Sequence, residues 1–392
     1  EAAGSYITDV DGHRYLDLCL GDTGSMFGHS PEPVVRAVRE QISKGITMML
    51  PTEDSVWVGE ELNRRFRLPY WQIAMTATDA NRFSIRLARK ITGRKKILVV
   101  NECYHGSVDE SLISFNENGM PGPSEGNIGP AIDPSVTTEL VEFNDIDAVE
   151  RILSEKEVAC VLMEPAMTNI GIILPEEGYH ERLRDLATEH GSLLILDETH
   201  TICAGPAGYC GEHGLKPDMI TIGKPIAGGV PAAAYGISEE VADKVRSSTD
   251  IYTSDESGVG GTLSGNALAI AAMRATLEHV ITQEAFDRML PVAERFTQGI
   301  EDVIRSKGLP WHVIRLGTRL EYRFRPNPPR NGGEAAAAVD NELDRLVHLM
   351  ALNRGILLTP FHNMALMSPF TTNEDADFHT KVFQESVEKL TG

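Results

Sequence analysis

The chain of 392 residues sets 57 Asp and Glu against 36 Lys and Arg, a formal net charge of -21, with 42% hydrophobic residues, enough for one large and one smaller domain. That charge repels phosphodiester backbones and anionic lipid, and no basic patch offsets it, so nucleic acid and membrane surfaces give way to small-molecule chemistry. No apolar run of about 18 residues reads as a membrane span, Glu1 to Asp11 lacks the blocks of a secretion signal, and five cysteines without a CxxC pair fit reduced thiols in a cytoplasmic protein, with no structural metal.

The chain opens abruptly on a strand-turn-strand pattern, Tyr6 to Asp17, with Asp11-Gly12 placed for the turn, and residues are expected to precede it. Pro31 begins a helix whose Val34, Val35, Val38 and Ile42 share one face, with Gly45 placed to stop it. A second helix carries Val58, Leu62 and Phe66. From about residue 70 to 280, short continuous apolar runs alternate with amphipathic helices. The runs are Ile97–Val100, Val158–Met163, Leu193–Leu196 and Met219–Ile222, with a helix over Tyr179 to His190 between the second and third. Strands buried on both faces and joined by helices predict an α/β fold with a mostly parallel sheet, which binds ligands at the carboxyl ends of its strands. Beyond about residue 285 the pattern is mixed: a helix, strands at Val313–Leu316 and Arg319–Phe324, a long loop at Pro326–Gly333, and helices at Glu334–Asn353 and Glu374–Leu390. The predicted division is an N-terminal segment, 1–69, contributing to a small domain; a large domain, 70–285; and a C-terminal small α+β domain, 286–392.

Two charged residues of opposite sign follow two of these strands, Asp197 after Leu196 and Lys224 after Gly223. An aspartate there can keep a pyridinium nitrogen protonated, and a lysine amine can condense with an aldehyde, the minimum apparatus for pyridoxal 5′-phosphate (PLP). A strand-end Asp is also often a helix cap, and a lone Lys a surface charge. The glycines around Lys224, in Gly223-Lys224-Pro225-Ile226-Ala227-Gly228-Gly229, favour close approach of a bulky ligand. Thr76-Ala77-Thr78 at a helix start offers hydroxyls and amides to a phosphate, or an ordinary cap. Gly258 to Asn266 is a second glycine and hydroxyl segment before a helix, and it does not fit GxGxxG. Tyr104 can cover a planar cofactor or pack in the core. The one GxSxG match, Gly122 to Gly126, lies in a Pro- and Gly-rich stretch and not between an apolar strand and a helix, so it is no nucleophile elbow, and there is no HExxH; hydrolase and metalloenzyme readings drop out.

In this order the segments resemble the class III, PLP-dependent aminotransferases, and more narrowly the branch of glutamate-1-semialdehyde aminomutase and its amine or β-amino-acid transaminase relatives. The most specific pieces are Leu196-Asp197-Glu198, Thr221-Ile222-Gly223-Lys224 and Gly261-Thr262-Leu263-Ser264-Gly265-Asn266, supported by Cys103-Tyr104-His105-Gly106 and Glu164-Pro165. The resemblance implies a fold-type I enzyme in which Lys224 holds PLP as a Schiff base and moves the proton, and Asp197 pairs with the ring nitrogen. It further implies that Tyr104 stacks on one ring face, that His105 lies at the cofactor, and that Ala77 and Thr78 take the phosphate. Gly261 and Thr262 would reach the phosphate of a neighbouring subunit, hence a homodimer with shared sites.

The chain departs from the usual pattern at Ala77, where the family has glycine, and at Thr199 and His200, where a Val and a Gln or Met are common. Thr199 would meet the second ring face, and His200 would lie near the cofactor's phenolic oxygen, tuning its chemistry or merely packing. Asn169 fits the aminomutase-like branch and argues against 4-aminobutyrate and ornithine as substrates. The leading expectation is transamination from an amine donor to a keto acid acceptor such as pyruvate. The alternatives are a 2,1-aminomutase, a degenerate PLP-binding protein and an α/β binding protein without PLP. Met26, Phe27 and Phe361-His362-Asn363-Met364 are apolar enough to line a substrate pocket or to be core, and Arg319 to bind a carboxylate or pair on the surface.

Overall fold

The computed structural model describes residues 1–248, 258–360 and 362–391. A seven-stranded sheet runs in the order Tyr70–Ala74, Ala233–Ile237, Met219–Ile222, Leu193–Asp197, Val158–Met163, Lys96–Val100, Thr138–Val141. Ala233–Ile237 pairs antiparallel with both neighbours, and the other pairs are parallel. The predicted strands thus sit side by side in one mostly parallel sheet. Their continuous apolar character has a direct cause: every residue of Val158–Met163 and of Leu193–Asp197 is buried, because helices cover both faces.

The helix Tyr179–His190 has the predicted bounds, ending on Gly191 in the left-handed conformation (φ 67°), which a glycine adopts without cost. Its Tyr179, Leu183, Leu186 and Ala187 face the core as the spacing requires. The hairpin pairs Tyr6–Thr8 with Arg14–Asp17, and its turn is closed by Asp9, whose Oδ1 accepts from the backbone N of Asp11 and of His13, each at 2.9 Å. The strand Arg14–Asp17 also pairs in parallel with Ile356–Leu357, so the N-terminal hairpin shares one small sheet with a strand of the C-terminal region. A second small sheet joins His312–Leu316, Arg319–Arg323 and Met364–Leu366.

Two expectations are corrected. The helix expected over Glu334 to Asn353 is two, Gly332–Ala337 and Asn341–Leu352. Asp340 breaks it by capping the second piece, its carboxylate accepting from the backbone N of Leu343 at 3.1 Å. The helix after Pro31 spans Glu32–Ile42, but Ile42 is 54% exposed and so leaves the buried face that Val34 anchors. All five cysteines are free. Among the described residues, no helix is long and apolar enough to cross a membrane.

Candidate active site

Asp197 ends its strand directly opposite Thr221, so the neighbouring strand delivers Lys224 beside it, just past the sheet edge. Both line a cavity of about 430 Å³ with Thr76, Ala77, Thr78, Tyr104, His105, Glu164, Thr199 and His200. Eight of the ten predicted site residues are therefore brought together: Lys224, Asp197, Ala77, Thr78, Tyr104, His105, Thr199 and His200. Gly261 and Thr262 are not among them. They are exposed and border a separate cleft with Thr47, Met48, Met49 and Leu50.

The floor is built on the Asp197 carboxylate, 3% exposed. Its Oδ2 accepts from Asn81 Nδ2 at 2.8 Å and is 2.9 Å from His105 Nδ1, while Oδ1 accepts from the Thr199 backbone N at 3.0 Å. Burial alone would raise its pKa, but the His105, Thr199 and Asn81 contacts outweigh burial and hold it below the usual carboxylate value. Burial likewise opposes a charged His105, yet Cys103 and Asp197 lift its pKa well above the ordinary histidine value. Asn81 ties this floor to the next strand, its Oδ1 accepting from Thr221 Oγ1 at 2.7 Å. Asn81 escaped the sequence reading because an Asn inside a helix gives no local signal. Its position four residues after Ala77, on the same helix face, is the one hint.

The helix Ala77–Thr92 points its N-terminus at the cavity, with Thr76 as cap accepting from the Asp79 backbone N at 3.1 Å. Thr78 Oγ1 accepts from the Ser107 backbone N at 3.1 Å, and only a glycine fits at 106, where an added Cβ would fall 2.1 Å from that oxygen. The glycines around Lys224 serve a different end from the expected one. A Cβ on Gly223 would meet that of Ala77 at 3.0 Å, and one on Gly228 would meet Val34 at 2.9 Å, so these two seat neighbouring elements, while Gly229 alone borders the cavity.

The surroundings of Lys224 hold the surprise. Lys224 Nζ lies 2.7 Å from Asp22 Oδ2 and 2.7 Å from His200 Nε2. The Arg319 Nη1 group donates to His200 Nδ1 at 2.9 Å, and Thr23 Oγ1 lies 3.1 Å from the same nitrogen. Arg319 is 1% exposed and so belongs to neither of its predicted settings: it lies in the interior behind His200 instead of on the surface or open to a substrate. Burial, then the charges of Lys224 and Arg319, keep His200 well below the usual histidine pKa. Lys224 is lowered by burial, with Asp22 opposing. Asp22, absent from the sequence reading, sits in Gly21-Asp22-Thr23-Gly24, a polar pair between glycines in an apolar stretch, and that was its only mark.

Met26 and Phe27 are core, 0% and 3% exposed, Phe27 meeting Phe286 edge to face. His362 Nδ1 lies 3.0 Å from Glu321 Oε1, Asn363 donates to Asp344, and Met364 is buried in a strand, while Phe361 lies outside the described residues. Asn169 is exposed and donates to the Glu102 carbonyl at 3.0 Å.

A carboxylate, an amine and a helix N-terminus on one cavity, with a buried Thr199 Oγ1 that has no protein partner among the described residues, fit a planar, phosphate-bearing pyridine aldehyde. With a mostly parallel sheet under it, this is the site of a fold-type I, PLP-dependent enzyme.

Residues 1–387 match the family model described as aminotransferase class-III, and the chain belongs to that family, whose cofactor is PLP. It is 32% identical over 367 residues, 91% of this chain and 82% of the other, to a protein named glutamate-1-semialdehyde 2,1-aminomutase from Anaeromyxobacter sp. (strain Fw109-5). The crystal structure of a glutamate-1-semialdehyde-aminomutase from Pseudomonas aeruginosa PAO1 superposes with a TM-score of 0.97 at 49% identity, covering 100% of this chain and 87% of that one. A variant of it has been solved in complex with PMP. An omega-transaminase from Sphaerobacter thermophilus follows, with a TM-score of 0.91 and 26% identity over 100% of this chain and 91% of that one.

Proposed function

We propose that this chain is a PLP-dependent aminomutase, returning an amino group to the same carbon skeleton it came from, with Lys224 holding the cofactor covalently and carrying the proton that moves. One observation carries the reading of Lys224: its amine borders the same cavity as the Asp197 carboxylate, on adjacent strand ends. The choice of aminomutase over the expected transamination follows the names of the relatives at 32% and 49% identity.

Bound here, PLP supplies an aldehyde for the lysine and a ring that withdraws electrons from the carbon beside the transferred nitrogen. Asp197, kept ionised by its donors, would hold the ring nitrogen protonated. Tyr104 and Thr199 would cover the ring, and Ala77 and Thr78 would receive the phosphate at the helix N-terminus. Lys224 must act as a base although lysine in water is almost fully protonated, and its burial lowers its pKa toward that task. Gly261 and Thr262, outside this cavity, would complete the phosphate site of a second copy, making the working enzyme a homodimer.

A second reading, transfer from an amine or ω/β-amino-acid donor to a keto acid, is favoured by the whole-chain likeness to the omega-transaminase. The two are separated by supplying one amino compound and no acceptor. Sustained turnover supports the aminomutase. A single turnover per site that resumes on adding pyruvate replaces it with the transaminase.

A further inference from the structure

Asp22 and His200 meet at the Lys224 amine, and the bonding around them restricts where protons can sit. The guanidinium of Arg319 has donors only, so at 2.9 Å from His200 Nδ1 it makes that nitrogen an acceptor. A neutral imidazole then carries its proton on Nε2, which lies 2.7 Å from Lys224 Nζ. An ammonium there would set N–H against N–H. A free amine has the lone pair this contact needs, and still has hydrogens to donate to Asp22 Oδ2 at 2.7 Å.

The backbone is bent to make this meeting. Leu20, Asp22 and Thr23 have φ of 47°, 47° and 80°, and Lys224 has 48°, all in the left-handed region that L residues occupy at a cost. The turn is held by Asp17, whose Oδ1 accepts from the backbone N of Cys19 at 2.9 Å and of Leu20 at 2.8 Å. Leu20 and Thr23 are both fully buried. Strain of this kind on both partners of one contact, in segments 202 positions apart, marks the contact as something the fold is built to hold.

We propose that Asp22 and His200 form a cradle in which His200, its tautomer fixed by Arg319, holds the Lys224 amine as the free base whenever it is not joined to the cofactor, while Asp22 keeps that amine in place. This rests on the reading of Lys224 as the cofactor lysine. Asp22 anchors the amine, His200 denies it a third proton, and both are positioning residues. The other charged or titratable groups acting on the pair are Arg319 and Glu164 on Lys224, and His362 and His105 on His200. The lysine would thus wait ready to take a proton, instead of first shedding one to water.

The test uses the full chain freed of cofactor and exposed to formaldehyde and cyanoborohydride across a pH series, with methylation of Lys224 followed by peptide mass spectrometry. Only the free amine adds the aldehyde, and exposed Lys156 serves as the internal standard. His200→Gln, whose side-chain oxygen accepts from an ammonium, should slow Lys224 methylation near neutral pH roughly tenfold. Asp22→Asn, which removes the opposing charge, should speed it by a similar factor. Opposite shifts, with Lys156 unmoved, are the signature of the cradle, and a merely structural role would not produce them. His200→Gln decides alone if Asp22→Asn fails to fold, and His200→Asn replaces His200→Gln if that variant fails, because loss of the Asp22 charge by itself would free any neighbouring lysine. No shift, or shifts of the same sign, overturns the proposal. Separately, if borohydride fixes no PLP on wild-type Lys224, it is the reading of the cofactor lysine that fails.

Discussion

Replacing Asp197 by asparagine removes one charge from a group that is 3% exposed and takes three donors. If the new amide keeps its oxygen toward Asn81 and His105, its nitrogen faces the Thr199 backbone N–H. Turned over, it faces two donors at once. Either orientation leaves buried donors unsatisfied, at about 1–3 kcal/mol for the worst-placed one. His105, 1% exposed, also loses the carboxylate that helps hold it protonated. Breaking a buried ion pair costs about 3–5 kcal/mol, part of which returns when the imidazole sheds its proton. The net for Asp197→Asn is therefore about 3 kcal/mol. Calorimetry of the cofactor-free protein should show a melting temperature lower by roughly 3–4 °C. The double variant Asp197→Asn, His105→Gln should cost less than the sum of the singles, because the second change removes the donor the first one orphans. Cofactor affinity should fall at least tenfold, about 1.4 kcal/mol, if the ring nitrogen pairs with Asp197. A melting temperature within about one degree of wild type, with PLP held as tightly as before, would refute the account of this floor.

Lys224→Ala should abolish both the visible absorption of covalently held cofactor and nearly all turnover, and full activity in this variant ends its assignment. Glu321 is held down to about 2, since His362, Arg323 and Arg319 outweigh the effect of burial. A depressed carboxylate contributes stability above its unfolded pKa near 4.5 and loses it as pH falls through about 2, here about 3 kcal/mol. Acid titration of thermal stability should therefore drop across that window in wild type and be flatter in Glu321→Gln, and equal slopes would contradict this. Met49 and Leu50, each 77% exposed, border the same cleft as Thr262. Leu50→Glu should convert a dimer to an inactive monomer by light scattering, and an active monomeric wild type would remove the shared-site proposal.

Much of the fold was legible in the chain because its causes are local. A strand buried on both faces must be apolar throughout, so Val158–Met163, Leu193–Leu196 and Met219–Ile222 announce themselves, and with the ends of the last two come Asp197 and Lys224. The limits of the helix Tyr179–His190 follow from its period and from Gly191. Less legible were features whose local patterns permit two outcomes. The alanine-rich run before Asp340 reads as continuous helix until a capping side chain ends it. Met26 and Phe27 suit a pocket wall as well as a core, and only packing places them in the core.

By itself, then, the sequence determined four adjoining parallel strands of the seven-stranded sheet, the two charged strand ends and the family-like hydroxyl and glycine segments, all set by short-range periodicity and by residue chemistry. Only the tertiary structure decided what surrounds the lysine. Asp22 reaches it from 202 positions away, and Arg319 acts on His200 across 119. Asn81 reaches Asp197 across 116. Such contacts leave no periodic trace, since each depends on where the sheet edge, a strained turn and a second sheet meet in space.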